Sequence, residues 1–250
     1  MLLEKWYADV VTDGRAQVRY RAKMQIGPIT VGYSARVTDS RMRVANLGAR
    51  RHPMPQIRDG ALHWPAGPDG PATIWRGAKH RAHQLLSAGK HQITWDPLVL
   101  NGSVVSNGKP ISGSGYAECL TLNLAPWHLG LDTLKWGRFC GQTRSLVWIE
   151  WLGRIPKTLA LLDGKTDTLQ AADRHEIRTD NARLIFGKAN EIIAAPLGSG
   201  ALAALGGIRM LAARRFLAGV ETKWLAEARL QIGGEEADSG FVIYEEVVWP

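Results

Sequence analysis

The chain has 250 residues, 45% hydrophobic and 22% charged, with a formal net charge of +8. That composition excludes a disordered chain, and no apolar run approaches the ~18–20 residues that span a bilayer as a helix. The length suits one large β domain or two small ones.

Turn signals punctuate the chain, and the runs between them alternate apolar with polar residues, as short antiparallel strands do. ADVV-TDG-RAQVRYRA (8–22) reads as a hairpin, and turns at Gly27, Gly60 and Gly70 follow. HQITWDPLVL-NG-SVV (91–105) reads as a second hairpin turning at Asn101-Gly102, with a further turn at Asn107-Gly108. GSGYAECLTLNL (113–124) places Tyr116, Glu118, Leu120, Leu122 and Leu124 on one strand face. Trp127 and His128 come next, in a loop, followed by KWGRF (135–139). SLVWIEWL (145–152) sets Leu146, Trp148 and Glu150 against Val147, Ile149 and Trp151, so both faces read as largely buried. KTLALL-DG-KTDTLQ (157–170) is a third hairpin.

An Ala- and Leu-rich stretch then predicts a short helix or helical loop near 198–218. ETKWLAEARLQI and GFVIYEEVVW return to strands. The close of the chain, DSGFVIYEEVVWP, echoes GSGYAECLTLNLAPW in the first half. So many short strands predict an all-β antiparallel barrel or sandwich, and the echo suggests two halves, 1–126 and 127–250.

The positive charge raises nucleic acid and anionic membranes as partners. The basic residues are scattered, however, and Arg19, Arg21 and Lys23 alternate with apolar residues as on a solvated outer face. Nucleic acid is therefore a rival reading rather than the expected partner, and peripheral contact with an anionic membrane stays open. The N-terminus does not resemble a signal peptide, and Cys119 and Cys140 read as reduced thiols, so a cytoplasmic protein is expected. No cysteine or histidine spacing makes a metal site; His80 and His83 lack a third ligand. Gly198-Ser199-Gly200-Ala201-Leu202-Ala203 matches a dinucleotide-binding loop, but no βαβ series surrounds it. No cofactor is expected.

Glu118 is the residue that asks for chemistry. An acid on an apolar face is pushed toward its neutral form, and a neutral carboxylic acid in a dry pocket can protonate an alkene or epoxide. Tyr116, two residues earlier on the same face, would be its partner, and the ring face of Trp136 could stabilise a developing cation. The competing reading is structural: Arg138 could pair with Glu118 from a neighbouring strand and keep it ionised. Glu150, between Trp148 and Trp151, has the same two readings, and His128 could titrate near neutrality. Ten tryptophans suit a lined cavity or a very aromatic core.

GSGYAE, followed by PW, WGRF and SLVWIEW, resembles the lipocalin-like group that holds carotenoid hydratases, tocopherol cyclases and AttH-type proteins. Lipocalin-like cyclases, including Diels–Alderases, share the architecture. The resemblance implies two β-barrel-like halves and an apolar ligand in a cleft or barrel mouth, with cofactor-free chemistry. A carboxylic acid then protonates an apolar polyene or quinol, and water or an internal hydroxyl captures the cation. On this reading Glu118 and Tyr116 are catalytic. Trp95, Trp127, His128, Trp136, Arg138, Trp148, Glu150 and Trp151 contact a hydrophobic, isoprenoid or polyketide-like molecule. A carrier with no chemistry is the alternative.

Overall fold

The computed structural model describes residues 1–38, 41–48, 53–199 and 211–250. Ten strands form the first sheet: β1 (Leu2–Thr12), β2 (Arg15–Ile26), β3 (Ile29–Thr38), β4 (Arg41–Gly48), β5 (Gln56–Arg58), β6 (Ala61–Trp64), β7 (Thr73–Arg76), β8 (His83–Ala88), β9 (His91–Ser106) and β10 (Lys109–Leu122). Ten more form the second: β11 (Leu131–Gly141), β12 (Ser145–Gly153), β13 (Lys157–Leu162), β14 (Lys165–Asp167), β15 (Leu169–Ala172), β16 (Glu176–Thr179), β17 (Ala182–Phe186), β18 (Asn190–Pro196), β19 (Val220–Ile232) and β20 (Glu235–Val248). The two sheets share one strand order. The first runs β4-β3-β2-β1-β10-β9-β7-β6-β5 with β8 on β9, and the second runs β14-β13-β12-β11-β20-β19-β17-β16-β15 with β18 on β19. The two echoing segments are the closing strands, β10 and β20, which pair with β1 and β11. A helix, α1 (Leu211–Leu217), precedes β19. The rest of the helical segment and most of the glycine-rich motif, 200–210, lie outside the described residues.

Local chemistry explains most of the turns. Asp13 and Gly14 both take positive φ (49° and 69°), the backbone that a two-residue hairpin needs to match strand twist. The hairpin expected at Asn101-Gly102 does not form. There β9 runs straight through, and the chain turns at Asn107-Gly108 instead. Gly102 serves close approach: a Cβ would lie 2.2 Å from the Arg76 carbonyl oxygen. The Asn101 side chain reaches across to donate to the Gly141 carbonyl of the second sheet (2.7 Å).

The period-two alternation produces three cores. Trp6, Ala8 and Val10 of β1 pack inside the first sheet with Trp64 and Trp75. Phe139, Leu146 and Trp148 pack inside the second with Ala226 and Val242. The opposite faces meet in a shared seam, where Tyr7, Trp95 and Tyr116 pack with Trp136, Ile149 and Ile243.

One surface reading is corrected. Arg19 and Arg21 are buried inside the first sheet. Arg21 donates to Asp69 (2.6 Å) and to the carbonyls of Pro53 and Pro65, while Arg19 donates to the Pro71 carbonyl. A buried guanidinium is tolerated when its donors are matched in this way. Gly67 and Gly70 leave room for it, because a Cβ at Gly67 would fall 2.5 Å from Arg21. Among the described residues no helix is long and apolar enough to cross a membrane.

Candidate functional site

A cavity of about 210 Å³ lies in the seam. Its walls are mainly aliphatic, with Leu3, Ile93 and Leu120 from the first sheet and Leu134, Ile149 and Val247 from the second. Two tryptophans line it, Trp151 and Trp249. Its polar lining is Lys5, Tyr20, Tyr33, Glu221 and Glu245. Along β1 the lining residues are Lys5 then Leu3, and along β20 they are Glu245 and Val247, with Trp249 just past its end. At the end nearest the middle of β1 and β20 the lining is therefore polar, with Lys5 and Glu245.

Just beyond that end sits Glu118. The pairing of β10 with β9 slips between Gly115 and Glu118, an irregularity that re-aims side chains. One carboxylate oxygen, Oε2, accepts three hydrogen bonds: from Trp95 Nε1 (2.5 Å), Tyr116 Oη (2.8 Å) and Trp136 Nε1 (3.0 Å). Burial raises its pKa, while the donors and Lys5 pull it down; burial wins and the net direction is upward. With Oε2 committed to three donors, a proton on this group belongs on Oε1.

A second acidic group lines the cavity itself. Glu221 and Glu245 hydrogen-bond to one another, and both contact the Lys223 ammonium, Glu221 at 3.6 Å and Glu245 more closely. Lys223 is fully buried, with its Nζ 5.3 Å from the Tyr7 ring centroid and 5.1 Å from that of Trp136. Burial and the adjacent Glu245 charge raise the pKa of Glu221. The Lys223 ammonium holds Glu245 below the usual carboxylate range despite its burial. Of the two, Glu221 is shifted toward its protonated form and Glu245 toward its ionised form.

The other sequence candidates separate in space. Trp95, Tyr116 and Trp136 converge on Glu118. The Lys223 ammonium stands over the Trp136 ring, 5.1 Å from its centroid. Arg138 does not pair with Glu118. Its Nε donates to Asp9 Oδ2 (3.0 Å), its second nitrogen bonds Asp9 Oδ1, and both residues are fully buried. Asp9 was invisible as a partner because it lies on β1, in the other sheet. Trp148 faces the interior of the second sheet and stacks on Phe186 (6.1 Å), away from the cavity. Glu150 is paired with Lys135 (3.0 Å). Trp127 is half-buried beside the exposed His128, outside the cavity lining.

Sequence reasoning gave Glu221, Lys223 and Glu245 no place in an acid site. The signal was present: Glu221 and Lys223 share a face with the buried Leu225, and Glu245 lies between Ile243 and Val247. This is the pattern that singled out Glu118.

No family model and no curated protein matches the sequence. Solved structures do match the fold. Kievitone hydratase from Nectria haematococca superposes with a TM-score of 0.50 over 98% of this chain and 88% of that one, at 7% identity. CghA, solved with Sch210972, gives 0.50 over 99% and 88% at 10% identity. The chain has their fold. It is an all-β, antiparallel, lipocalin-like architecture, as the sequence resemblance implied, and at these identities the likeness speaks for architecture only.

Proposed function

We propose that this protein is a cofactor-independent enzyme of the hydratase or cyclase kind, acting on an apolar small molecule bound in the seam. One observation carries the reading: an aliphatic cavity ends on buried carboxyl groups held toward their protonated form, Glu221 in its lining and Glu118 just behind. A neutral acid there gives its proton to one carbon of a substrate double bond, leaving a cation on the other carbon. Water then adds and loses a proton back to the carboxylate, which is hydration. Capture by an internal hydroxyl or a second double bond, followed by loss of one proton to the carboxylate, instead gives an isomeric ring. The apolar wall holds a flexible chain in one conformation, which lowers the barrier by orientation. The fold likeness to a protein named as a hydratase agrees with this class, and an isoprenoid or polyketide-like skeleton suits the wall.

The test is incubation of the purified protein with an apolar-metabolite extract, followed by liquid chromatography and mass spectrometry. A product isomeric with a consumed compound, or heavier by one water, supports the proposal. Glu221→Gln and Glu118→Gln should each lower turnover while ligand is still retained.

One observation favours a carrier instead: Glu118 is satisfied by three donors of the protein itself and so needs no substrate. Retention of an unchanged compound, with both Gln variants binding it equally, would make the protein a carrier.

A further inference from the structure

Tyr20 (β2) lines the cavity and is 6% exposed, yet its hydroxyl has no hydrogen-bond partner among the described residues. Its neighbours are not left so. Tyr7 donates to Asp9 (2.8 Å) and Tyr116 to Glu118 (2.8 Å). A buried hydroxyl without a partner is costly, and structures keep such groups paired unless something else supplies the partner. The ring is fixed in place. It lies edge-on to Tyr7 with centroids 5.4 Å apart, and the Lys5 ammonium stands 5.4 Å from its centroid. Burial and the surrounding acids, Glu221, Glu245 and Glu118, keep the phenol protonated, so it is a donor in search of an acceptor.

We infer that the ligand carries a neutral oxygen at one end, a hydroxyl or carbonyl, and that this oxygen accepts from the Tyr20 hydroxyl at the polar end of the cavity. The rest of the molecule then extends along the aliphatic wall toward Trp249. Either charged head would meet a like charge around Tyr20. A carboxylate head would find Lys5 but also Glu245 and Glu221, whose own cation, Lys223, is already committed to them. An ammonium head would find those acids but also the Lys5 ammonium. The inference rests on the proposal that an apolar ligand occupies this cavity, but not on catalysis.

The experiment is displacement of N-phenylnaphthylamine from the full chain by three probes with related skeletons: geraniol, myrcene and geranic acid. Tyr20→Phe should weaken geraniol on the order of tenfold, the scale of a lost buried hydrogen bond, and leave myrcene within about twofold. Geranic acid should bind more weakly than geraniol at neutral pH. Equal effects on geraniol and myrcene, no effect on either, or tighter binding of geranic acid would overturn the inference. If none of the three displaces the fluorophore, the cavity reading falls as well. A denaturant titration of the ligand-free protein closes the remaining gap. Tyr20→Phe should match or exceed the wild type in stability, because no partner is lost. A clear loss would mean that the hydroxyl is already satisfied within the protein, and would also overturn the inference.

Discussion

Replacing Arg138 with methionine tests how the two sheets are held together. Arg138 on β11 and Asp9 on β1 are both fully buried and form a two-pronged ion pair across the seam. Methionine fills much of the arginine volume but removes every donor. Asp9 is then left buried with only the Tyr7 hydroxyl donating to its side chain among the described residues. Orphaning one member of a buried pair costs about 3–5 kcal/mol, a large share of the ~5–15 kcal/mol by which domains are stable. For a chain of this size that corresponds to a fall in Tm of about 10 °C. Guanidinium titration and thermal melts of the wild type and Arg138→Met measure it. The cost should be recovered largely in the combination Tyr7→Phe, Asp9→Leu, Arg138→Met, which removes the stranded charge and its remaining donor together. A loss below ~1 kcal/mol in the single variant, or a combination no more stable than the single, would refute the reasoning.

Three further outcomes follow from the same geometry. Glu118→Leu should cost several kcal/mol, on the order of 1–3 for each of the stranded Trp95, Tyr116 and Trp136 donors. Glu118→Gln keeps an acceptor oxygen and should cost much less in the same chemical-denaturation assay. Gly137→Ala should destabilise by about 1–3 kcal/mol. Its Cβ would stand 2.2 Å from the Trp148 ring, which is itself backed by Phe186; a neutral outcome in thermal melts would mean that the ring can give way. Stability should also depend on pH through the seam acids. Glu118 and Glu221 have raised pKa values, so the folded state keeps protons that the unfolded chain releases as pH climbs past the ordinary carboxylate range. Their contribution is complete below that range and declines as pH rises through their folded values. Glu245 acts oppositely: its contribution is present above the ordinary value and is lost as pH falls. Urea midpoints measured across pH should therefore show a decline on the alkaline side that is smaller in Glu221→Gln, and an unchanged slope would place the proton elsewhere.

The alternation in 113–124 was enough to put Glu118 on the apolar face, and the Asp-Gly pairs at 13–14 and 163–164 were enough to find real hairpins. These are local signals, carried by residues a few positions apart. Asn101-Gly102 carries the same local signal and yet lies inside a strand, because there the glycine answers to Arg76 from another strand. Partners are harder still. Arg138 was available to Glu118 by proximity in sequence, but Asp9 claims it from 129 residues away. Arg19 and Arg21 look like surface residues until Asp69 and the carbonyls around it fold over them. The carboxyl pair of the cavity needs β19 beside β20, and its meaning appears only when Lys5 and Tyr20 arrive from the first sheet.

Because both sheets supply the lining, the cavity exists only while they are docked. A molecule that fits it is therefore linked to docking by mass action. Each factor of one hundred in concentration above its dissociation constant adds about 2.7 kcal/mol to the closed state. The reverse also holds. When the seam opens, water reaches Glu118 and Glu221, their desolvation disappears, and they revert to ordinary carboxylates. The tendency of these carboxyl groups to keep a proton is thus not fixed in their side chains: it comes from burial between the docked sheets, and whatever favours docking also favours the protonated form.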